Sequence, residues 1–169
     1  MPGTPDIVVV GSVAYDDIET PLVKRQNLLG GSATFFSLVA SYRARVGLVA
    51  TVGTDFAPRD TALLRARGVD LAGLETKKGK TFHWAGRYEK DPNKRSTLSL
   101  DLGVFAGFHP ILPDSYEKAR CLFLGNIDPR LQERVLDSAS GAALVGCDTM
   151  NHWIESQKGL LLRTFKRVH

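Results

Sequence analysis

The sequence predicts an α/β fold in which helices flank a parallel β-sheet and a small sheet projects from it. Short apolar runs that end at glycine or a polar residue alternate with segments of helical periodicity, an order typical of parallel sheets. Between residues 81 and 102, apolar and polar residues instead alternate with a period of two, which predicts strands with one exposed face. The 169 residues are enough for one domain.

The first predicted elements are a strand, a helix and a second strand. Residues 7–10 are β-branched and end at Gly11, and residues 46–52 form a second apolar run. Between them, residues 32–43 carry apolar side chains at helical spacing, and Ser32 is placed to cap the first amides. The face predicted to pack against the sheet consists of Phe35, Leu38, Val39 and Tyr42.

The middle of the chain predicts a helix followed by the projecting sheet. Residues 60–67 are helical in pattern and stop at Gly68. A polar, edge-like segment spans 18–28, and the alternating residues from Thr81 onward are interrupted by a turn at 91–94. Trp84 and Tyr88 on this segment are either packing residues or residues that stack on a sugar.

The second half returns to strands and helices in alternation. Residues 121–124 and 142–147 predict buried strands, and a further helix begins near Trp153. Residues 129–139 predict the helix between these strands. Its inward side chains are predicted to be Leu131, Val135, Leu136 and Ala139.

Composition excludes several functional classes. The net charge of +4 comes from 22 basic and 18 acidic residues without a basic stripe, which predicts no nucleic-acid partner. Cys121 and Cys147 have no second cysteine or histidine at ligand spacing, so we predict buried, reduced thiols. The first ten residues lack the features of a signal peptide, and no apolar run is long enough to span a membrane. These patterns predict a cytoplasmic protein without a membrane partner.

Polar groups follow four of the predicted strands. They are Gly11-Ser12 with Asp16, Gly53-Thr54-Asp55, Gly125-Asn126, and residues 148–151. In open parallel sheets, ligands bind beyond the carboxyl ends of the strands. Gly30-Gly31 precede a helix, where bare amides can meet a hydroxyl or an anion. Simpler interpretations stay open: a plain turn at the glycines, a turn cap at Asp55 and a solvated loop acid at Asp16.

The motifs GSVAYDD, GGSATFF and VGLVATVGTDF, followed by GNIDP and DTMNHWI, resemble in sequence and order the PfkB family of carbohydrate kinases. The resemblance covers essentially the whole chain. It implies a ribokinase-like (Rossmann-like) fold whose C-terminal part is missing. Residues 1–169 would be the N-terminal part of a sugar kinase domain, with strands of a lid around 12–28 and 76–105.

The resemblance also implies roles for individual residues. Phe35 stands near a position where ribokinase-type members have an asparagine, so we expect no sugar hydrogen bond there. Asp148 and Asn151 would face the phosphate-transfer edge. The implied substrate-binding residues are Asp16, Gly30, Gly31, Ser32 and Asn126.

The chemistry of this family requires groups that the chain lacks. No Gly-Ala-Gly-Asp run, which supplies the family's catalytic base and anion hole, and no Asn-x-x-Glu element occurs in the sequence. We therefore expect the base beyond His169, no metal ligands here, and no turnover by these residues alone. ATP and Mg²⁺ are expected for the full-length enzyme, without tight binding to this chain. The expected partners are a small sugar or sugar-like acceptor, ATP and a second copy bound through the lid.

Two other classes compete with this interpretation. A dinucleotide-binding oxidoreductase would place G-x-G-x-x-G after the first strand, whereas residues 11–14 read Gly-Ser-Val-Ala. A non-catalytic sugar-binding or dimerisation module of the same fold stays open.

Overall fold

The structure, a computed structural model, describes residues 3–139 and 141–169, so residues 1, 2 and 140 of the predicted domain lie outside the described residues. The described part contains nine strands, five α-helices and one 3₁₀ helix. In chain order they are β1 (Ile7–Val10), β2 (Ala14–Glu19), β3 (Lys24–Gly30), α1 (Ser32–Ala40), β4 (Val46–Gly53), α2 (Pro58–Ala66), β5 (Val69–Lys77), β6 (Phe82–Tyr88), β7 (Arg95–Asp101), the 3₁₀ helix (Gly103–Gly107), β8 (Cys121–Leu124), α3 (Pro129–Ser138), β9 (Leu144–Cys147), α4 (Asn151–Ser156) and α5 (Lys158–Phe165).

The main sheet is parallel, with the strand order β5-β4-β1-β8-β9. Its central strands are buried on both faces, as their continuous apolar sequences predict. On one face, Ala33 of α1 and Leu64 of α2 pack over Val9 and Leu48. On the other face, α3 and residues 108–119 cover the sheet. The predicted α/β class is confirmed, and it brings the carboxyl ends of β4, β1, β8 and β9 to one edge.

A second sheet has the strand order β3-β2-β6-β7. Strands β2 and β6 pair in parallel, whereas β3 and β7 pair antiparallel to their neighbours. The segments predicted for the projecting sheet, 12–28 and 76–105, supply these strands. Their boundaries differ, because residues 76 and 77 belong to β5 of the main sheet and residues 103–107 form the 3₁₀ helix.

The predicted apolar face of α1 is wrong for three of its four residues, since only Leu38 packs against the core. Phe35, Val39 and Tyr42 point to solvent and are 57%, 72% and 67% exposed. The buried side of the helix instead carries the small residues Ala33, Thr34 and Ser37. Small side chains let α1 approach the sheet closely: a Cβ on Gly11 would lie 3.1 Å from that of Ala33. The helix also ends at Ala40, earlier than the predicted residue 43.

Two further strand predictions need correction. Strand β5 was not predicted, because it lies at the sheet edge and most of its residues are only partly buried or exposed. Strand β9 begins at Leu144, two residues later than predicted. Both cysteines are free thiols, but they are half-buried, not fully buried. Burial raises the pKa of the Cys147 thiol.

No helix among the described residues is both long enough and apolar enough to cross a membrane.

Candidate functional site

The end of β1 and the start of α1 are joined by serine hydroxyls. The backbone N–H of Ser32 donates to Ser12 Oγ at 3.1 Å, and that of Ala33 donates to the Ser12 carbonyl oxygen at 3.0 Å. Ser12 therefore satisfies two amides of the first helical turn, and the prediction that Ser32 is the cap is wrong. The Ser32 hydroxyl instead accepts from the Asn126 backbone N–H at 3.1 Å, which links α1 to the end of β8.

Gly30 and Gly31 each have a steric reason to be glycine. Gly31 has a φ of +98°, and a Cβ there would lie 2.3 Å from the Ser12 carbonyl oxygen. At Gly30, a Cβ would lie 2.1 Å from Asp16 Oδ2. The first glycine thus makes room for the Asp16 carboxylate, and the second lets the chain turn from β3 into α1.

The carboxylate of Asp16 is partly buried on β2 beside Gly30. Among the described residues, no hydrogen bond or ion pair holds it. Burial raises the pKa of Asp16 to about 6, the nearby His83 opposes this rise, and the Asp17 charge adds to it. An unpartnered carboxylate of this kind is an acceptor available to a ligand hydroxyl.

The adjacent Asp17 has a different environment. Its Oδ1 lies 3.2 Å from His83 Nε2 and accepts from the Asn27 backbone N–H at 2.8 Å. Successive residues of a strand point to opposite faces, so Asp17 lies on the face of the second sheet opposite Asp16. Asp17 therefore joins three strands of that sheet.

Asp55 caps a turn, the simpler of its two interpretations. Its Oδ1 accepts from both the backbone N–H and the hydroxyl of Thr81, each at 2.7 Å. The Thr81 hydroxyl oxygen also accepts from the Gly53 N–H at 3.0 Å. These bonds attach the end of β4 to the start of β6, so Asp55 supports the second sheet.

The ends of β8 and β9 are joined by one buried side chain. Gln132 of α3 is fully buried, and its Nε2 donates to the carbonyl oxygens of Gly125 and Asp148, each at 3.0 Å. The Oδ1 atom of Asn126 is buried without a hydrogen-bond partner among the described residues. A polar atom that is buried without a protein partner therefore lies at this edge of the sheet.

The structure brings most of the predicted site residues into one linked set. Asp16 lies against Gly30, Gly31 leads into α1, and Ser32 binds the backbone of Asn126. Asp148 joins this set through its backbone, while its exposed carboxylate accepts from the Thr149 N–H at 2.7 Å. Asn151 is exposed at the start of α4, and no hydrogen bond among the described residues connects it to the others.

Sequence reasoning missed Gln132 and the contacts of Ser12, which it named only as part of the Gly11-Ser12 strand end. A signal for Gln132 was present, because it falls on the same helical face as the buried Val135 and Leu136. Ser12 gave no comparable signal, since its partner Ser32 is 20 residues away and the pairing depends on the fold.

This set of residues coincides neither with a metal centre nor with either of two cavities along β5 in the described part of the chain. No group of three or more His, Cys, Asp or Glu side chains that could hold a metal ion occurs within the described residues. Two cavities of about 150 Å³ and 330 Å³ lie along β5, and Leu74 lines both. Asp16, Gly30 and Asn126 line neither of these two cavities.

No protein-family model matches the chain. It is 30% identical over 137 residues to the cytidine kinase of Thermococcus kodakarensis, an alignment that covers 80% of this chain and 49% of that protein. The chain thus spans about half the length of the curated relative it matches.

Solved structures share the fold over nearly the whole chain. The nucleoside kinase of Methanocaldococcus jannaschii, an archaeal member of the ribokinase family, matches with a TM-score of 0.73 and 18% identity over 99% of this chain and 60% of that one. The nucleoside kinase of Burkholderia thailandensis in complex with ADP-inosine matches with a TM-score of 0.75 and 14% identity over 96% and 58%. The resemblance to the N-terminal portion of PfkB, or ribokinase-like, kinases is thereby confirmed.

Proposed function

We propose that this chain forms the acceptor-binding half of a kinase that transfers the γ-phosphoryl group of ATP to a hydroxyl of a small sugar or sugar-like acceptor, nucleosides included. The observation that carries the proposal is the partly buried, unpartnered carboxylate of Asp16. A charged group that is partly removed from water without a protein partner costs folding free energy, which a ligand hydroxyl would offset. The cytidine kinase relative supports the same reaction class.

The remaining predicted residues have distinct roles in this proposal. Asp16 accepts hydrogen bonds from acceptor hydroxyls, and Gly30 leaves the space that this carboxylate occupies. The backbone of Gly30 and Gly31 is proposed to contact the acceptor. Asn126 is proposed to lie beside the acceptor at the same edge. Its side-chain oxygen is buried without a protein partner among the described residues, and Ser32 holds its backbone in place. Asp148 and Asn151 are proposed to face the phosphate-transfer edge.

The second sheet is proposed to act as the lid over the acceptor. It carries Asp16, and Asp55 ties it to the main sheet. A closed lid would exclude water and favour transfer to the acceptor over hydrolysis of ATP. Leu98 and Leu100 on β7 are exposed, which supports the proposal of a dimer through the same sheet. We also propose a cytoplasmic location.

Transfer requires a base and stabilisation of the phosphate charge, and Mg²⁺ supplies the latter in most kinases. The described residues contain no cluster suited to Mg²⁺, and the chain lacks the Gly-Ala-Gly-Asp run. We therefore assign neither ATP nor Mg²⁺ to any residue of this chain, and we propose that these 169 residues alone are inactive.

The test uses protein expressed from its full coding sequence. ADP release is measured with a panel of ribose, fructose, cytidine, adenosine and inosine. We expect at least one acceptor to be phosphorylated, and Asp16→Ala to reduce acceptor use by tenfold or more while ATP binding is unchanged. Asp114→Ala, at an exposed position, is the matched control. An unchanged acceptor dependence in Asp16→Ala would remove Asp16 from the site.

A non-catalytic sugar-binding module is the alternative. It predicts acceptor binding without ADP release from the full-length protein. Acceptor-dependent ADP release by the 169-residue chain alone would contradict the proposed inactivity of this half.

A further inference from the structure

A row of four residues crosses the second sheet on the face that carries Asp16. Leu28 pairs with Asp16, Asp16 with Trp84, and Trp84 with Leu100. Register partners lie side by side on one face of a sheet. Leu28 and Leu100 are 38% and 56% exposed, and Trp84 is partly exposed. The Asp16 carboxylate therefore lies within an apolar surface that solvent can reach.

Asp16 and Trp84 lean toward opposite ends of this sheet. The carboxylate lies over Gly30, and a Cβ on Gly86 would lie 2.0 Å from the Trp84 ring. Gly30 is level with Ala14, two residues before Asp16, whereas Gly86 lies two residues after Trp84 in the parallel pair of strands. The two strands thus present a carboxylate toward one end of the row and an indole toward the other.

Polar contacts fix the orientation of the indole. Its Nε1–H donates to Thr97 Oγ1 at 3.3 Å, and the Arg95 guanidinium lies over the ring, 5.8 Å from its centroid. The Tyr88 ring meets it edge-on at 6.4 Å. The row around Trp84 is open to solvent, and Trp84 belongs to neither of the two apolar clusters of the main sheet. Its ring is therefore an aromatic surface in a fixed orientation.

We propose that Trp84 selects acceptors that carry a flat ring next to their sugar, with the sugar hydroxyls at Asp16 and the ring against the indole. Nucleosides are the class of acceptor with this chemistry. Stacking of a nucleobase on an aromatic side chain tolerates different bases, since each base has a π-face, and it is lost when the aromatic ring is removed. The inference rests on the proposed function, because it requires an acceptor site at Asp16.

The experiment compares acceptors across variants of the full-length protein. Values of kcat and KM are measured for cytidine, inosine and ribose with wild type, Trp84→Leu, Trp84→Met and Trp84→Phe. We expect the leucine and methionine variants to raise the nucleoside KM about tenfold or more, with the ribose KM within about twofold of wild type. Trp84→Phe keeps a ring and should stay within about threefold. Tyr42→Leu, an exposed aromatic in the turn after α1, is the matched control and should change neither.

Calorimetric binding of cytidine and ribose to the same variants separates the two proposals. If wild type releases no ADP with any acceptor, the proposed function fails, and binding alone then decides the role of Trp84. Tighter binding of cytidine than of ribose, lost in both non-aromatic variants, supports it. Equal binding of the two ligands by wild type, or equal losses for both in the variants, overturns it. Unfolding midpoints of the variants within a few degrees of wild type confirm that each compared protein is folded.

Discussion

Replacement of Asp16 by asparagine is expected to stabilise the protein at neutral pH while it weakens the proposed acceptor site. Burial raises the pKa of Asp16 from 3.8 to about 6, so ionisation of this carboxyl group costs free energy in the folded state. Asparagine keeps nearly the same shape without the charge. No hydrogen bond to a described residue is lost, because the carboxylate has none.

The size of this effect follows from the pKa of Asp16. A rise from 3.8 to about 6 corresponds to at most ~3 kcal/mol, at about 1.36 kcal/mol for each pH unit. The side chain is only partly buried and solvent screens its charge, so we expect about 1–2 kcal/mol. Between about pH 4 and pH 6 the folded state binds more protons at this site than the unfolded state does. The free energy of unfolding of wild type therefore falls by the cost of ionising Asp16 as the pH rises through that window. Above the window, Asp16 no longer changes it with pH.

Urea unfolding at pH 4 and pH 7.5 measures the difference. Asp16→Asn should exceed wild type by about 1–2 kcal/mol at pH 7.5 and by only a few tenths at pH 4. The exposed Asp114→Asn should differ little from wild type at either pH. A variant that is no more stable than wild type at pH 7.5, or whose advantage is the same at both pH values, would refute the assignment of a buried, costly charge to Asp16.

Two further substitutions separate binding from stability. Gly30→Ala would place a Cβ 2.1 Å from Asp16 Oδ2, and the carboxylate can move away. We expect acceptor use to fall about tenfold or more, with a melting temperature within a few degrees of wild type. Gly159→Ala, in open space, should change neither quantity. Normal acceptor kinetics in Gly30→Ala would contradict the proposed position of the carboxylate. Tyr15→Phe removes a hydroxyl that donates to the buried Asp60 at 2.7 Å, and urea unfolding should show a loss of about 1–3 kcal/mol; a loss below about 0.5 kcal/mol would show that water replaces this bond.

The fold was predictable where local patterns determine it. Strands β1 and β4 are buried on both faces and β8 is buried on one and partly buried on the other, so their apolar runs gave boundaries correct to within one residue. Strand β5 was not predicted, because an edge strand needs no continuous apolar run. The orientation of α1 was predicted wrongly because its contact with the sheet depends on the small Ala33, Thr34 and Ser37, which carry little hydrophobic signal. Close packing of these small residues, together with the contacts of Phe36 and Leu38 with the core, decides which side of that helix is buried.

The candidate site was predictable only in part, because its contacts join distant segments. Glycines before a helix indicated a special backbone, but only the fold shows that Gly30 accommodates Asp16 and that Gly31 lies against Ser12. The capping role of Asp55 depends on Thr81, which is 26 residues away. No local pattern predicts such a partner. The roles of Asp16 and Asn126 in acceptor binding stay predictions.

The parallel pairing of β2 with β6 has a consequence for the order of folding. Glu19 and Arg87, 68 residues apart, are neighbours in this pair, and the main-sheet strands β4 and β5 lie between them in sequence. Closure of so long a loop is slow unless the intervening chain has already folded. We expect β1, β4 and β5 to assemble first, and the surface that carries Asp16 and Trp84 to form last. In native-state hydrogen exchange, the amides of β2 and β6 should then exchange at lower opening free energies than those of β1 and β4.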